Sequence, residues 1–231
     1  MSKRLSKQIS KQISKRWLAG LAIACLLAAP GAHAGAPASE AQWIAAARQA
    51  VDYARQRGMP ISLQIDSGDG LPGHTPVGLS SENGRCTLIV SARDNPTADK
   101  VSAMIEPAVL ELFLAGAAMH EVGHCHRRLN GYPHNEQLLP IVAWMAPVKA
   151  WFNRRVLTEE AYADMTEVAW LARHHPQQFG AVVQQIAKVR TRFREPRHDT
   201  LPWLNIALAE GPADTDDDLF QVADKRLSRY H

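Results

Sequence analysis

Long apolar runs, cysteine and an excess of one charge are all scarce in this chain of 231 residues, and each shortage excludes something. Beyond residue 34 there is no apolar run near the roughly 20 residues that a transmembrane helix needs, so no membrane span is expected in the mature chain. Cysteine occurs three times, at Cys25, Cys86 and Cys125. A whole-chain excess of three positive charges disappears once the first 34 residues are set aside. Lys3, Arg4, Lys7, Lys11, Lys15 and Arg16 lie there with no acid, leaving 20 basic against 23 acidic residues, a net −3. The basic character therefore gives no argument for a nucleic-acid partner.

Those first residues read as a secretion signal. A basic segment precedes the 13-residue apolar stretch from Trp17 to Ala29, and Ala32-His33-Ala34 fits a small-x-small cleavage site. A lipoprotein reading through Cys25 is weaker, because Ala22 stands where leucine is preferred and the apolar run continues past the cysteine. The expectation is export to a bacterial periplasm or beyond, with cleavage near Ala34. Residues 35–231 then form a single domain of ordinary size. Cys86 and Cys125 remain as an even pair in an oxidising compartment, either bonded to one another or as two buried thiols.

Against this sparse background stands His120-Glu121-Val122-Gly123-His124. Chance alone would place that pattern in roughly one chain in fifty with 10 His and 11 Glu, so it carries weight. Residues four apart on a helix lie one turn on and about 40° round the axis, so both imidazoles can grip one metal ion. Glu121 then faces the water at that metal rather than the metal itself. The preceding run from Pro107 to Met119 is apolar and helix-forming, and Asn130-Gly131 supplies a stop. The alternative is a helix whose polar residues are merely solvated or satisfied in the core. Cys125 and His126 point about 100° and 200° away from His124, which keeps both off the same ion.

A catalytic zinc usually takes three protein ligands and leaves one position open. An extended motif of the metzincin kind would need glycine and histidine where Arg127 and Asn130 stand. A ligand from a later helix is the other route, and Thr158-Glu159-Glu160-Ala161-Tyr162-Ala163-Asp164 supplies acids. Thr158 reads as the N-cap of a helix over 158–174. Glu160 has a carboxylate one turn on at Asp164, whereas Glu159 has Ala163. We therefore assign Glu160 to the metal and Asp164 to the outer nitrogen of His120. Ala163, being small, would let this helix approach the first closely. Alternatively, both glutamates only favour a helix N-terminus electrostatically.

His-Glu-x-x-His followed by Glu-x-x-Ala-Asp resembles the gluzincin metallopeptidases, and most of all their HtpX-like branch. The resemblance covers chiefly residues 107–175. It implies a zincin-like α+β fold, mostly helical, with a small N-terminal antiparallel or mixed sheet whose edge strand receives a peptide or protein substrate. It also implies one Zn²⁺ held by His120, His124 and Glu160, with Glu121 as general base for hydrolysis of peptide bonds. Such enzymes use a downstream residue for the transition-state oxyanion; His198 is the candidate, with Tyr162 and the His174-His175 pair behind it. HtpX itself has membrane-spanning helices, which this chain lacks beyond its signal. Two other readings stand beside it: a catalytically silent scaffold of the same fold, and a zinc amide hydrolase acting on non-protein substrate such as cell-wall amides.

The rest of the chain fixes the frame. Ser39 to Arg57 reads as an amphipathic helix with Ser39 and Gln42 as a capping box. Ile61 to Ile65 alternates as a half-buried strand, and Asp66 to Gly78 is a Gly/Pro-rich loop. Val77–Leu79 and Cys86–Val90 flank a hairpin turning at Asn83-Gly84. Helices are expected near 98–106, 107–129, 140–152, 158–174, 177–193, 200–210 and 216–229. Trp144, Trp151, Phe152, Trp170 and Trp203 are expected in the core or a groove. Asp214 to Asp218 resembles a calcium loop only superficially and reads more simply as an acidic helix start.

Overall fold

The computed structural model describes residues 35–67, 71, 74–132, 146–212 and 217–229. The segment expected to be a secretion signal and Trp144 lie outside the described residues. Helix α1 (Glu40–Gln56) begins at the expected capping box: Ser39 accepts from the Gln42 backbone, and the Gln42 side chain returns to the Ser39 N–H. Its buried stripe of Trp43, Ala46, Ala47, Ala50, Val51 and Ala54 recurs at helical spacing. Alanine dominates that stripe, so α1 lies close against the sheet and against the long helix that follows it.

The sheet has three strands in the order β1 (Ile61–Ser67), β3 (Arg85–Arg93), β2 (Val77–Glu82). It is mixed: β1 runs parallel to β3, with Ile61 opposite Cys86, and β2 antiparallel to it, with Val77 opposite Val90. The hairpin strands run right up to Asn83 and Gly84, whose φ angles of 50° and 72° give a two-residue turn of the type that matches strand twist. Central strand β3 buries Cys86, Leu88 and Val90, the alternate residues of one face.

The other elements among the described residues are helices: α2 (Pro96–Ala103), α3 (Leu110–Leu129) after a 3₁₀ turn at Pro107–Val109, α4 (Ala146–His174), α5 (Phe179–Arg192), α6 (Leu201–Glu210) and α7 (Leu219–Ser228). The molecule is thus a mostly helical α+β protein with a small mixed sheet, as expected. Asp218 caps α7 by accepting from the Phe220 N–H, in keeping with an acidic helix start. Among the described residues no single helix is long and apolar enough to cross a membrane.

One boundary differs from the sequence reading. Thr158 caps nothing: α4 is continuous through it, and its hydroxyl donates back to the Arg154 carbonyl, as a mid-helix threonine does. The expected break between 152 and 158 has no proline or glycine to enforce it. Glu159 and Glu160 therefore lie well inside α4, and their reading as acids that only favour a helix N-terminus fails. Trp151 also departs from expectation, being 58% exposed, whereas Phe152, Trp170 and Trp203 are buried.

A disulfide joins Cys86 on β3 to Cys125 on α3, resolving the alternative left open by the sequence. It closes a loop of 39 residues between sheet and helix, and both halves are buried. Replacing both cysteines by alanine is expected to lower the unfolding free energy by about 2–4 kcal/mol. Denaturant titration of the two proteins checks this; equal midpoints would show that the bond contributes nothing to the fold.

Candidate metal centre

The site is built where α3 and α4 touch. A side-chain carbon on Gly123 would lie 3.0 Å from the Ala163 Cα and 2.9 Å from the Thr166 hydroxyl, and one on Gly116 would overlap the Glu167 carboxylate. Two glycines seven residues apart, about two turns along one face of α3, therefore let the helices meet closely, at Gly123 almost backbone to backbone, with Ala163 in the contact as its size suggested. At this separation side chains one turn along each helix reach a common point.

His120 and His124, each under a tenth exposed, put their Nε2 atoms 3.1 Å apart. Glu160 comes from α4, its Oε2 lying 3.5 Å from His120 Nε2 and its Oε1 3.6 Å from His124 Nε2. A tetrahedral ion with bonds of about 2.0–2.1 Å holds its ligand atoms about 3.3 Å apart, so this triangle fits such a cation. The donor chemistry fits as well. His120 Nδ1 lies 2.7 Å from Asp164 Oδ1 and His124 Nδ1 lies 3.3 Å from Glu159 Oε1. Each carboxylate accepts the Nδ1–H of its imidazole, which leaves both Nε2 lone pairs aimed at one spot. Facing lone pairs repel unless a proton or a cation sits between them. The three residues can hold a metal ion.

Electrostatics favour positive charge at that spot. Burial opposes ionisation of Glu160, yet the two histidines and Arg190 outweigh it and hold its carboxyl down at about 2. Burial likewise works against charge on His120, but Asp164 and Glu160 raise its pKa well above the ordinary imidazole value. Asp164 stays ionised despite complete burial, because Arg190, His120 and Thr200 all reach it. Glu121 moves the other way: burial raises its carboxyl, with His124 and His120 offsetting part of the rise.

The other sequence candidates divide. His198 does come to the site, with Nε2 3.6 Å from Glu160 Oε1 and Nδ1 turned to Glu195 at 3.2 Å. Tyr162 does not; its hydroxyl shares a hydrogen bond with His126 Nδ1 at 2.8 Å, and His126 stacks on Phe220. His174 and His175 pack on Trp170 at the end of α4. A pocket of about 550 Å³ is lined by Leu157, Arg194, Pro196, Asp199, Pro202 and Trp203, bracketing His198 in the sequence. Of the sheet edges, β2 is the one tied to α3, through Arg128 Nη1 donating to the Leu79 carbonyl at 3.1 Å.

Four residues have supporting roles that the sequence reading does not assign: Glu159, Arg127, Arg190 and Thr200. Adjacent acids project about 100° apart on a helix, so Glu159 and Glu160 could have been read as serving two different atoms of the site. Arg190 and Thr200 carry no local signal. Glu167 is also unassigned there, buried with one oxygen unpartnered among the described residues, and burial with the nearby Asp164 charge raises its pKa to about 8.

The chain matches no protein-family model, no curated protein and no solved structure.

The shifted groups give the metal-free protein a pH profile. Glu160, held at about 2 against its usual 4.5, contributes stability above pH 4.5 that is lost as pH falls toward 2, and Asp164 adds to that limb. Glu167 acts oppositely: with a folded pKa of about 8, its ionisation costs stability as pH rises from 4.5 to 8. His120, raised above 6.5, loses its contribution as pH climbs past that value. Unfolding free energy of the chelator-treated protein is expected to peak at about pH 5, and Glu167→Gln should flatten the alkaline limb. A maximum above pH 8 contradicts the assignment.

Proposed function

We propose that this protein is an exported zinc-dependent metallopeptidase of the gluzincin kind, most like the HtpX-like branch. One observation carries the reading: two imidazoles with carboxylate-bound Nδ1–H groups turn their free nitrogens, with Glu160, onto a single point, and Glu121 lies near enough to feel the charges of all three. A ligand set of two imidazoles and a carboxylate suits zinc, whose tetrahedral preference the triangle matches. When bound there, zinc would lower the pKa of water toward about 7 and polarise a substrate carbonyl.

The remaining steps belong to the chain. Glu121 accepts a proton from the attacking water on a carboxylate oxygen and delivers it to the leaving amide nitrogen. Its raised pKa brings it nearer the value that both halves of that transfer favour. His198 presents Nε2 beside Glu160 at the mouth, where it hydrogen-bonds the carbonyl oxygen of the substrate as charge develops. Strand β2, an edge strand tied to α3, aligns a peptide by backbone pairing. The disulfide supports an oxidising compartment, in keeping with export.

Glu121→Gln is expected to retain zinc and lose turnover on an unstructured protein by at least about 10²-fold, the range a positioned base supplies. His120→Ala and Glu160→Ala should lose the metal itself, read by metal analysis after dialysis. Cleavage that persists in Glu121→Gln removes that residue from the mechanism. Zinc binding by a wild-type protein that cleaves no peptide points instead to the scaffold or to amide hydrolysis elsewhere.

A further inference from the structure

The two histidines of the site are held very differently. His120 rests on Asp164, which is fully buried and receives Arg190 through both Nε and Nη2 as well as the Thr200 hydroxyl. That carboxylate has no freedom to leave. His124 rests on Glu159, whose side chain is 27% exposed and sits on a long, flexible stem. Left alone, such a carboxylate would divide its time between the imidazole and water, at the cost of the entropy that every ordered glutamate loses.

One residue opposes that loss. Arg127 Nε donates to Glu159 Oε2 at 3.1 Å, while Glu159 Oε1 takes the Nδ1–H of His124. The two oxygens of one carboxylate are thus divided between guanidinium and imidazole. Arg127 is itself only 8% exposed, and its guanidinium carbon lies 3.5 Å from the Tyr132 ring centroid and 4.7 Å from that of Tyr162. A planar cation held between two rings keeps its orientation, and Asp224 at 3.9 Å balances part of its charge. Arg127 lies three residues beyond His124, so one turn of α3 carries both the ligand and the residue that orients it.

We infer that Arg127 is a positioning residue for the metal centre, acting through Glu159 to hold His124 in the tautomer and orientation that binds the ion. The inference rests on the proposed metal site and assigns to it a dependence that the His-Glu-x-x-His pattern does not contain. Without Arg127, Glu159 swings toward solvent and His124 can rotate or move its proton to Nε2, the atom that must face the cation. The neighbouring arrangement at His120 is unaffected, so the site weakens rather than disappears.

The test measures zinc binding to the full mature chain by competition with a chelator, and the absorption of the cobalt-substituted protein as a reporter of ligand geometry. Arg127→Met and Glu159→Gln are each expected to lower zinc affinity by about 10–100-fold, with an altered cobalt spectrum. The double variant should lose little more than either single one, since both changes cut the same connection. Arg127→Lys, which keeps a donor but not the planar fork, should recover part of the loss. A zinc affinity within about threefold of wild type in Glu159→Gln overturns the inference, as do fully multiplicative losses in the double variant. If Arg127→Met does not fold, Arg127→Lys and Glu159→Gln decide the matter alone. A wild-type chain that binds no zinc would remove the metal site itself, and this inference with it.

Discussion

Everything at the candidate centre depends on how closely α3 and α4 approach. Helices whose side chains interdigitate normally sit 8–10 Å apart, and glycine and alanine at the contact bring them to the near end of that range. Gly116 and Gly123 supply the space on one side and Ala163 on the other. Only then can a carboxylate from the middle of α4 reach two imidazoles on α3. The disulfide and the Arg128 strap to Leu79 act on the same helix from the sheet side. The α3 helix is thus gripped from two sides, and its histidines lie on the face that meets α4.

Charge is balanced as closely as packing. Glu159, Glu160 and Asp164 bring three carboxylates into or beside a space of small volume, where isolated anions would be costly. Arg127 and Arg190 answer two of them directly, each by ion pairs of hydrogen-bonding geometry. Glu160 is left facing the two Nε2 atoms, which is where a cation would make up the remaining deficit. Among the described residues Glu167 has no cation to answer it in this way; buried, with one oxygen unpartnered and the Asp164 charge nearby, it is more easily kept neutral than ionised.

How much of this was legible in the sequence follows from the range over which each interaction acts. The helix pattern, the capping box at Ser39, the Asn83-Gly84 turn and the spacing of His120 and His124 are local, and local chemistry dictates them. Glu160 and Asp164 could be chosen because they form one helical turn on one face. Glu159 has only Ala163 one turn on along its own helix, and its partners His124 and Arg127 lie on α3, which no spacing within α4 marks. Arg190 and Thr200 reach Asp164 from α5 and from the start of α6, and no periodicity marks such a meeting. The N-cap assigned to Thr158 failed for a related reason. A threonine ahead of two acids has the composition of a helix start, but its hydroxyl is equally content bonded to a carbonyl four residues back.

The position of the disulfide has a mechanical consequence. Cys125 follows the second metal-facing histidine directly, so the sulfur bridge anchors that part of α3 to the central strand. The sheet and the histidine-bearing helix cannot part company at this junction. Freedom to move at the centre is left to its other side, where His198 borders Glu160 from a segment, residues 194–199, that contains no cysteine to tether it.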